Sequence, residues 1–122
     1  METPAWMSKL TYQTVKTNGI DLHFVEQGTG PTVLLLHGFP EIWYGWRYQI
    51  PPLVERGYHV AATDLRGNGK SKGPSDIGLY TILHVVGDMI GLLDDLKEER
   101  VFVVGHDWGA LIAWELSLKN LK

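Results

Sequence analysis

The segment with the strongest chemical signal is Gly105-His-Asp-Trp-Gly109, which joins a short apolar run to a helical pattern. A small residue two positions before and two positions after a central polar residue, at a strand-to-helix junction, is typical of a nucleophile elbow. The flanking residues must be nearly bare so that strand and helix can approach each other. Here the central residue is Asp107, and the dipole of a helix N-terminus would stabilise its carboxylate as an anion. The pattern therefore predicts a carboxylate nucleophile.

A second interpretation of Asp107 requires no chemistry. Aspartate is a favoured N-cap residue, because its side-chain oxygen accepts a hydrogen bond from an amide of the first helical turn. A cap alone does not need glycine at both Gly105 and Gly109, and the two glycines favour the elbow. From this segment alone both interpretations remain open.

A second motif, His37-Gly-Phe-Pro40, follows another apolar run. In folds built around such an elbow, the oxyanion hole takes one backbone N–H from the residue after the nucleophile and one from a loop after an earlier strand. These donors correspond to Trp108 and Phe39. A turn of glycine and proline also ends many strands without any function. Its position relative to the elbow favours the oxyanion-hole interpretation.

Periodic patterns around these motifs predict the elements that position them. Side chains alternate over residues 10–16 and 20–25 across Asn18-Gly19, which predicts a β-hairpin. Apolar runs without alternation predict strands buried on both faces at residues 32–36, 58–62 and 101–104. Apolar residues at helical spacing predict helices over residues 82–96 and from residue 111 onward. A hairpin followed by alternating strands and helices predicts a mainly parallel sheet with helices on both faces.

Two details of these elements carry further expectations. Gly87 and Gly91 lie four positions apart on one helix face, which predicts close packing against a neighbour. The loop Asp64–Ser71 follows a predicted strand, and we expect Asp64 and Arg66 to brace that loop. Ligands in open α/β sheets collect beyond the carboxyl ends of the strands, where this loop and both motifs lie.

Composition limits the other classes of function. The chain has 122 residues, 44% of them hydrophobic, a net charge of −3 and no cysteine. This balance offers no basic face for nucleic acid, no apolar run long enough to span a membrane, and no thiolate nucleophile or disulfide framework. The expectation is one small cytoplasmic domain.

Together with Trp43-Tyr-Gly-Trp-Arg47 and Asp64–Ser71, the two site motifs resemble the soluble epoxide hydrolases of the α/β-hydrolase family, particularly the plant-like branch. The resemblance extends from about residue 15 to residue 115. It implies the N-terminal part of an α/β-hydrolase fold. Residues 1–122 would form a truncated core domain with strands 1–5 and the nucleophile helix, and the cap domain and last strands would be absent.

The resemblance also implies a reaction. Asp107 would open a small apolar epoxide by forming an ester, water would hydrolyse that ester, and the amides of Phe39 and Trp108 would form the oxyanion hole. Phe39, Trp43 and Trp108 would contact the substrate. The supporting residues would be His37, Gly38, Pro40, Gly105, His106 and Gly109. Neither the motifs nor the resemblance implies a cofactor or a metal ion.

Other parts of the family's machinery have no match in this sequence. In the family, the histidine that activates water, the acid that orients it and two proton-donating tyrosines follow the nucleophile helix. None of the five histidines here corresponds to that histidine. We therefore expect the chain to be alkylated once without turnover, and to self-associate through an exposed sheet edge.

Two alternatives remain. The first is a haloalkane dehalogenase, whose elbow also resembles this one in placing tryptophan after aspartate. Phe39 disfavours that family, which commonly carries a halide-binding asparagine at this position. The second is a fragment without activity that binds partners through its unfinished sheet.

Overall fold

A five-stranded mixed sheet forms the centre of the computed structural model, which describes residues 5–39, 41–71, 78 and 80–119. The strands are β1 (Thr11–Thr17), β2 (Ile20–Gln27), β3 (Thr32–Leu36), β4 (His59–Thr63) and β5 (Phe102–Gly105). The α-helices are α1 (Ile50–Glu55), α2 (Ile82–Asp95) and α3 (Trp108–Lys119), and short 3₁₀ helices span Ala5–Lys9 and Trp43–Trp46. Pro51 and Pro52 lie in the first turn of α1, where a missing N–H is tolerated.

The strand order is β1-β2-β4-β3-β5. Strand β2 pairs antiparallel with both β1 and β4, whereas β3 pairs parallel with β4 and β5. Four strands therefore run in one direction and β2 alone runs against them. The predicted hairpin and mainly parallel sheet are confirmed, although β2 makes two of the four strand pairings antiparallel.

The turn of the hairpin packs against α2. Asn18 and Gly19 have φ values of 51° and 81°, the positive pair typical of a two-residue type I′ turn. A Cβ atom on Gly87 would lie 2.8 Å from Asn18 Nδ2, and one on Gly91 would overlap the Thr17 side chain. The two helical glycines thus admit the end of the hairpin, as their spacing predicted.

Apolar side chains fill both faces of the sheet. On one face, α2 and α3 cover the sheet, and the cluster centres on Leu22, Phe24, Leu34, Leu36, Met89, Leu92, Ile112 and Leu116. On the other face, α1 and the short 3₁₀ helices cover a second cluster around Val25, Val33, Leu35, Trp43, Ile50 and Val60. This arrangement confirms helices on both faces.

Strand β5 lies at one edge of the sheet. It forms where the sequence predicts a strand, and Phe102 and Val104 are exposed, which agrees with the exposed sheet edge that was also expected and not with burial on both faces. On the adjoining α3, the side chains of Leu111, Trp114 and Leu118 are also exposed. Phe102 and Val104 project to the side of the sheet that α1 covers, like their partners Val33 and Leu35, whereas α3 covers the opposite side. These five exposed apolar residues thus flank the open β5 edge on both sides of the sheet, and we call this region the α3–β5 face. Within the described part of the chain, no helix has the length and apolar character needed to cross a membrane.

Candidate active site

A tight turn connects the end of β5 to the start of α3. Asp107 occupies this turn with φ at 58°, in the left-handed region that few residues other than glycine adopt. Aspartate and asparagine tolerate that region better than other side chains. Such a conformation costs roughly 1–3 kcal/mol and persists only where the surrounding structure enforces it. The strained turn predicted at the elbow is therefore present at Asp107.

The two glycines of the elbow allow this turn to pack. A Cβ atom on Gly105 would collide with the backbone carbonyl of Gly109. A Cβ atom on Gly109 would collide with the carbonyl oxygen of Leu36 and would lie 2.6 Å from that of His37. Bare residues are thus needed at both positions for the first turn of α3 to lie against the end of β3.

Two backbone amides stabilise the carboxylate of Asp107. Its Oδ2 lies 3.1 Å from the amide nitrogen of Phe39, and the neighbouring amide of Trp108 also stabilises the ionised carboxylate. The Phe39 bond, and then the Trp108 bond, lower the pKa of Asp107 below its ordinary 3.8, with a smaller lowering from the charge of His106. The side chain is exposed. Asp107 is therefore an ionised, accessible carboxylate at neutral pH.

The hydrogen bonds around Asp107 distinguish the nucleophile-elbow interpretation from the N-cap interpretation. A capping aspartate would accept from the second and third amides of the helix, which belong to Gly109 and Ala110. The Gly109 amide instead donates to the carbonyl of His106 at 2.9 Å, and the Ala110 amide donates to the backbone carbonyl of Asp107 at 3.0 Å. The carboxylate is held by Trp108 and by a distant loop, so the interpretation as a cap alone is wrong.

The loop after β3 reaches Asp107 because of Gly38. A Cβ atom there would lie 2.5 Å from Asp107 Cβ and 2.9 Å from the carbonyl oxygen of His106. His37 is buried behind the loop, with contacts to the Gly38 carbonyl and the Leu65 amide. Pro40 lies outside the described residues.

His106 does not enter the site. Its Nδ1 lies 3.3 Å from Oε1 of Glu41, and both side chains are substantially exposed. This exposed pair connects the elbow to the loop after β3 on the outer side.

A cavity of about 230 Å³ adjoins the elbow. Its apolar walls include Phe39, Leu65, Ile82, Val85, Trp108 and Ile112. Asp107 is not among its lining residues, but the two residues whose amides hold the carboxylate, Phe39 and Trp108, both are. Phe39 is 71% exposed and stands at the mouth of the cavity.

Trp43 lies elsewhere. Its side chain is only 7% exposed, belongs to the core on the other face of the sheet, and packs edge-on against Tyr12 and Tyr44. It does not line the cavity. The expected contact between Trp43 and a substrate is thus corrected to a role in the core, because the 3₁₀ helix that carries it turns the ring inward.

Two buried charged residues brace the loop after β4, as expected. Asp64 accepts hydrogen bonds from the Trp43 amide at 2.9 Å, the Lys70 amide at 3.0 Å and His23 Nδ1 at 2.9 Å. Arg66 forms a two-point ion pair with Asp88 of α2, at 2.9 Å and 2.7 Å.

The sequence reasoning missed one part of the cavity. Tyr80, Ile82 and Val85, at and before the start of α2, line it opposite the elbow. The only available signal was the period of the helix, which predicts a buried face but not that its first turn borders a site. Within the described ranges, no group of three histidine, aspartate or glutamate side chains is arranged to hold a metal ion.

Comparison with known proteins places these features in a wider context. Residues 31–121 match a family model described as the alpha/beta hydrolase fold. The chain is 54% identical over 112 residues to "Epoxide hydrolase 3" of Siraitia grosvenorii, covering 92% of this chain and 35% of the relative. It is 49% identical to "Epoxide hydrolase A" of Mycobacterium tuberculosis, again covering 92% and 35%.

A solved structure shows the same similarity to epoxide hydrolases. The crystal structure of an epoxide hydrolase from Vigna radiata superposes with a TM-score of 0.89 at 52% identity, covering 92% of this chain and 35% of that one. The chain therefore spans about a third of the length of the proteins that it matches.

Proposed function

The chain belongs to the alpha/beta hydrolase fold family, and we propose that it carries the nucleophile of an epoxide hydrolase at Asp107. On this proposal residues 1–122 form the part of the core domain that contains strands 1–5 and the nucleophile helix. The observation that carries the proposal is the 3.1 Å contact between the Phe39 amide and an accessible Asp107 carboxylate on a strained turn. The similarity to epoxide hydrolases of plants and bacteria supports the same substrate class.

The first step needs no base. A carboxylate oxygen of Asp107 attacks a ring carbon of the epoxide in line with the breaking carbon–oxygen bond. A new ester bond forms as the ring carbon–oxygen bond breaks, and the ring oxygen keeps the electron pair and takes up a proton from water. The lowered pKa of Asp107 keeps the nucleophile ionised throughout the neutral range.

The second step is hydrolysis of that ester. Water attacks the carbonyl carbon that belongs to Asp107, and negative charge develops on the carbonyl oxygen. The amides of Phe39 and Trp108, which already hold the carboxylate, would donate to this oxygen. Loss of one such donor typically costs about 2.7–4 kcal/mol of transition-state stabilisation.

The identity of the nucleophile fits this two-step reaction. A serine that attacked an epoxide would form an ether, which water does not readily cleave. An aspartate forms an ester, whose carbonyl gives water a point of attack. The residue at the elbow therefore favours ring opening by alkyl transfer over the cleavage of ordinary esters.

The cavity supports a small apolar substrate. A volume of about 230 Å³ lies just below the roughly 300–1,000 Å³ typical of small-molecule sites. Its walls of phenylalanine, tryptophan and aliphatic side chains favour a small apolar epoxide. Phe39 also argues against a haloalkane dehalogenase, because its side chain has no N–H to hold a leaving halide. Release of free halide from a haloalkane would instead support that alternative.

Within the described chain each histidine ring contacts another group of the protein. His23 contacts Asp64, His59 contacts Glu26 and Thr32, His84 contacts Thr81, and His37 and His106 contact the loops described above. We therefore expect this polypeptide to form the Asp107 ester without hydrolysing it at an enzymatic rate.

The test is intact-mass spectrometry after incubation with a reactive terminal epoxide. One covalent adduct, mapped to Asp107, should form in the wild type. It should be missing in Asp107→Asn, which tolerates the same left-handed turn. An unmodified wild type would overturn the proposed nucleophile, and sustained diol production would overturn the proposed lack of turnover.

We also propose that copies of this chain associate through the α3–β5 face. An apolar helix face beside an open strand edge favours such contacts. The alternative of a binding fragment without activity would share this surface but would show no adduct. The cytoplasmic location stays a prediction.

A further inference from the structure

The peptide unit between Gly38 and Phe39 connects the site to the interior of the protein. Its N–H is the Phe39 donor that lies 3.1 Å from Asp107 Oδ2, and its C=O belongs to Gly38. The two groups of a trans peptide lie in one plane and point in opposite directions. Whatever holds the Gly38 carbonyl therefore also sets the direction of the Phe39 N–H.

Two donors hold that carbonyl. The backbone amide of Glu41 donates to it at 2.8 Å, which closes the turn of the loop. The other partner is Nδ1 of His37, also at 2.8 Å. The His37 side chain is only 2% exposed, so water does not compete effectively for this contact.

The other ring nitrogen of His37 determines where its proton sits. The backbone amide of Leu65, just after β4, donates to His37 Nε2 at 2.9 Å. An amide N–H can only donate, so Nε2 must be unprotonated. In a neutral ring Nδ1 then carries the proton, which is what the bond to the Gly38 carbonyl requires. Only one neutral tautomer satisfies both contacts.

The surroundings of the ring keep it neutral. Burial lowers the pKa of His37 below its ordinary 6.5, because the charged ring is poorly solvated. The Gly38 carbonyl and the carboxylates of Asp64 and Glu41 act in the opposite direction, and burial outweighs them.

We propose that His37 is a positioning residue, whose Nδ1–H tautomer, selected by the Leu65 amide, holds the Gly38 carbonyl and thereby aims the Phe39 amide at Asp107. This inference deepens the proposed function, on which its catalytic meaning rests, while the geometry can be tested without any substrate. His37 is one of the residues that line the cavity, but its ring nitrogens bond to the Gly38 carbonyl and the Leu65 amide rather than to Asp107. It acts through one peptide plane.

Two substitutions separate the roles of the ring nitrogens. His37→Asn places an amide nitrogen near the position of Nδ1, so it keeps the donor and loses the acceptor for Leu65. His37→Gln reaches the position of Nε2 with its oxygen, so it keeps the acceptor and loses the donor. His59→Gln is the control, because that ring also contacts two partners but lies at the opposite end of the strands.

The measurement is the titration of the Asp107 carboxyl group, followed by NMR in the full 122-residue chain. In the wild type, in His37→Asn and in the control, the pKa of Asp107 should stay below 3.8. In His37→Gln it should rise toward that value, and the amide resonance of Phe39 should lose its response to the Asp107 titration. A His37→Gln variant that titrates like the wild type would overturn the proposal, as would equal shifts in both His37 variants.

A second readout uses the wild type alone, in case a variant does not fold. The nitrogen chemical shifts of His37 distinguish a protonated ring nitrogen from an unprotonated one. Finding the proton on Nε2 at neutral pH would overturn the proposal. Both readouts are independent of epoxide chemistry. If the wild type titrates as expected but forms no adduct, the proposed function fails and this inference stands.

Discussion

The amide nitrogen of Phe39 and the Oδ2 atom of Asp107 lie 3.1 Å apart, although 68 positions separate the two residues in the chain. Parallel pairing of β3 with β5 brings them together, since Leu36 is in register with Gly105. The loop after Leu36 and the turn after Gly105 therefore both begin at the carboxyl end of the sheet. One of them supplies an anion and the other the donor that stabilises it.

Removal of the Phe39 amide hydrogen should raise the pKa of Asp107. Phe39→Pro deletes that donor, whereas Phe39→Ala trims an exposed ring and keeps the amide. The lowered pKa means that Asp107 contributes stability that is complete above 3.8 and is lost as pH falls through the lowered value. In Phe39→Pro this loss should begin at higher pH. NMR titration and acid unfolding check the expectation, and identical titrations for the two variants would contradict it.

A methyl group on Gly38 should push the loop after β3 away from the elbow at Asp107. Gly38→Ala would place Cβ 2.5 Å from Asp107 Cβ, against an atom fixed by the backbone. Gly45→Ala is the matched control, because its Cβ would also lie at 2.5 Å, but from the mobile tip of Glu41. We expect adduct formation with an epoxide to be strongly reduced in the first variant and retained in the second. Equal adduct formation would show that the close approach is not needed.

Breaking the Arg66–Asp88 pair should destabilise the fold. The guanidinium and carboxylate are both buried and form two short hydrogen bonds. Removing one partner of such a pair costs about 3–5 kcal/mol, because a buried charge is left uncompensated. Arg66→Met should lower the free energy of unfolding in urea by that order, and Arg66→Met with Asp88→Leu should recover much of the loss.

The exposed Glu41–His106 pair is the control for the buried Arg66–Asp88 pair. Glu41→Gln should change the free energy of unfolding by less than about 1 kcal/mol, since surface pairs contribute little. If Arg66→Met cost no more than Glu41→Gln, the two-point pair would not be a major source of stability.

The burial of His37 predicts a pH-dependent stability. Its pKa is lowered in the folded state, so the unfolded chain binds more protons as pH falls below about 6.5. Stability from the neutral ring is thus complete above that pH and is lost as pH falls through the lowered value. The difference in unfolding free energy between the wild type and His37→Asn should shrink over this range. A difference that does not vary with pH would contradict the assignment.

A charge on the α3–β5 face should reduce self-association. Trp114 is 68% exposed on α3, and Trp114→Glu should shift sedimentation profiles toward the monomer. Leu83→Glu introduces the same charge at another exposed apolar position, on α2, and should leave association unchanged. A wild type that sediments as a monomer at all concentrations would rule out association through this face.

Local patterns in the sequence predicted most of the elements. The hairpin followed from Asn18-Gly19, the buried strands from their apolar runs, and the elbow from Gly105 and Gly109. Each signal is local, because turns and hydrophobic periodicity depend on residues that are neighbours in the chain.

The remaining features depend on contacts between distant residues. The inward turn of Trp43, the ion pair of Arg66 with Asp88 and the insertion of β4 between β2 and β3 have no local signature. The tautomer of His37 likewise depends on Leu65, which lies 28 positions away. A pattern can identify a polar residue near a site, but the partner that orients it is known only once the chain is folded.

The position of β3 between β4 and β5 has a consequence for the nascent chain on the ribosome. This strand is made early, whereas its neighbours β4 and β5 are translated later, and β5 is complete only when Gly105 has been added. Until β5 docks, the Phe39 amide has no carboxylate to meet and Asp107 lacks its long-range donor. The Asp107 carboxylate therefore gains its long-range donor only after β5 has been translated and has paired with β3.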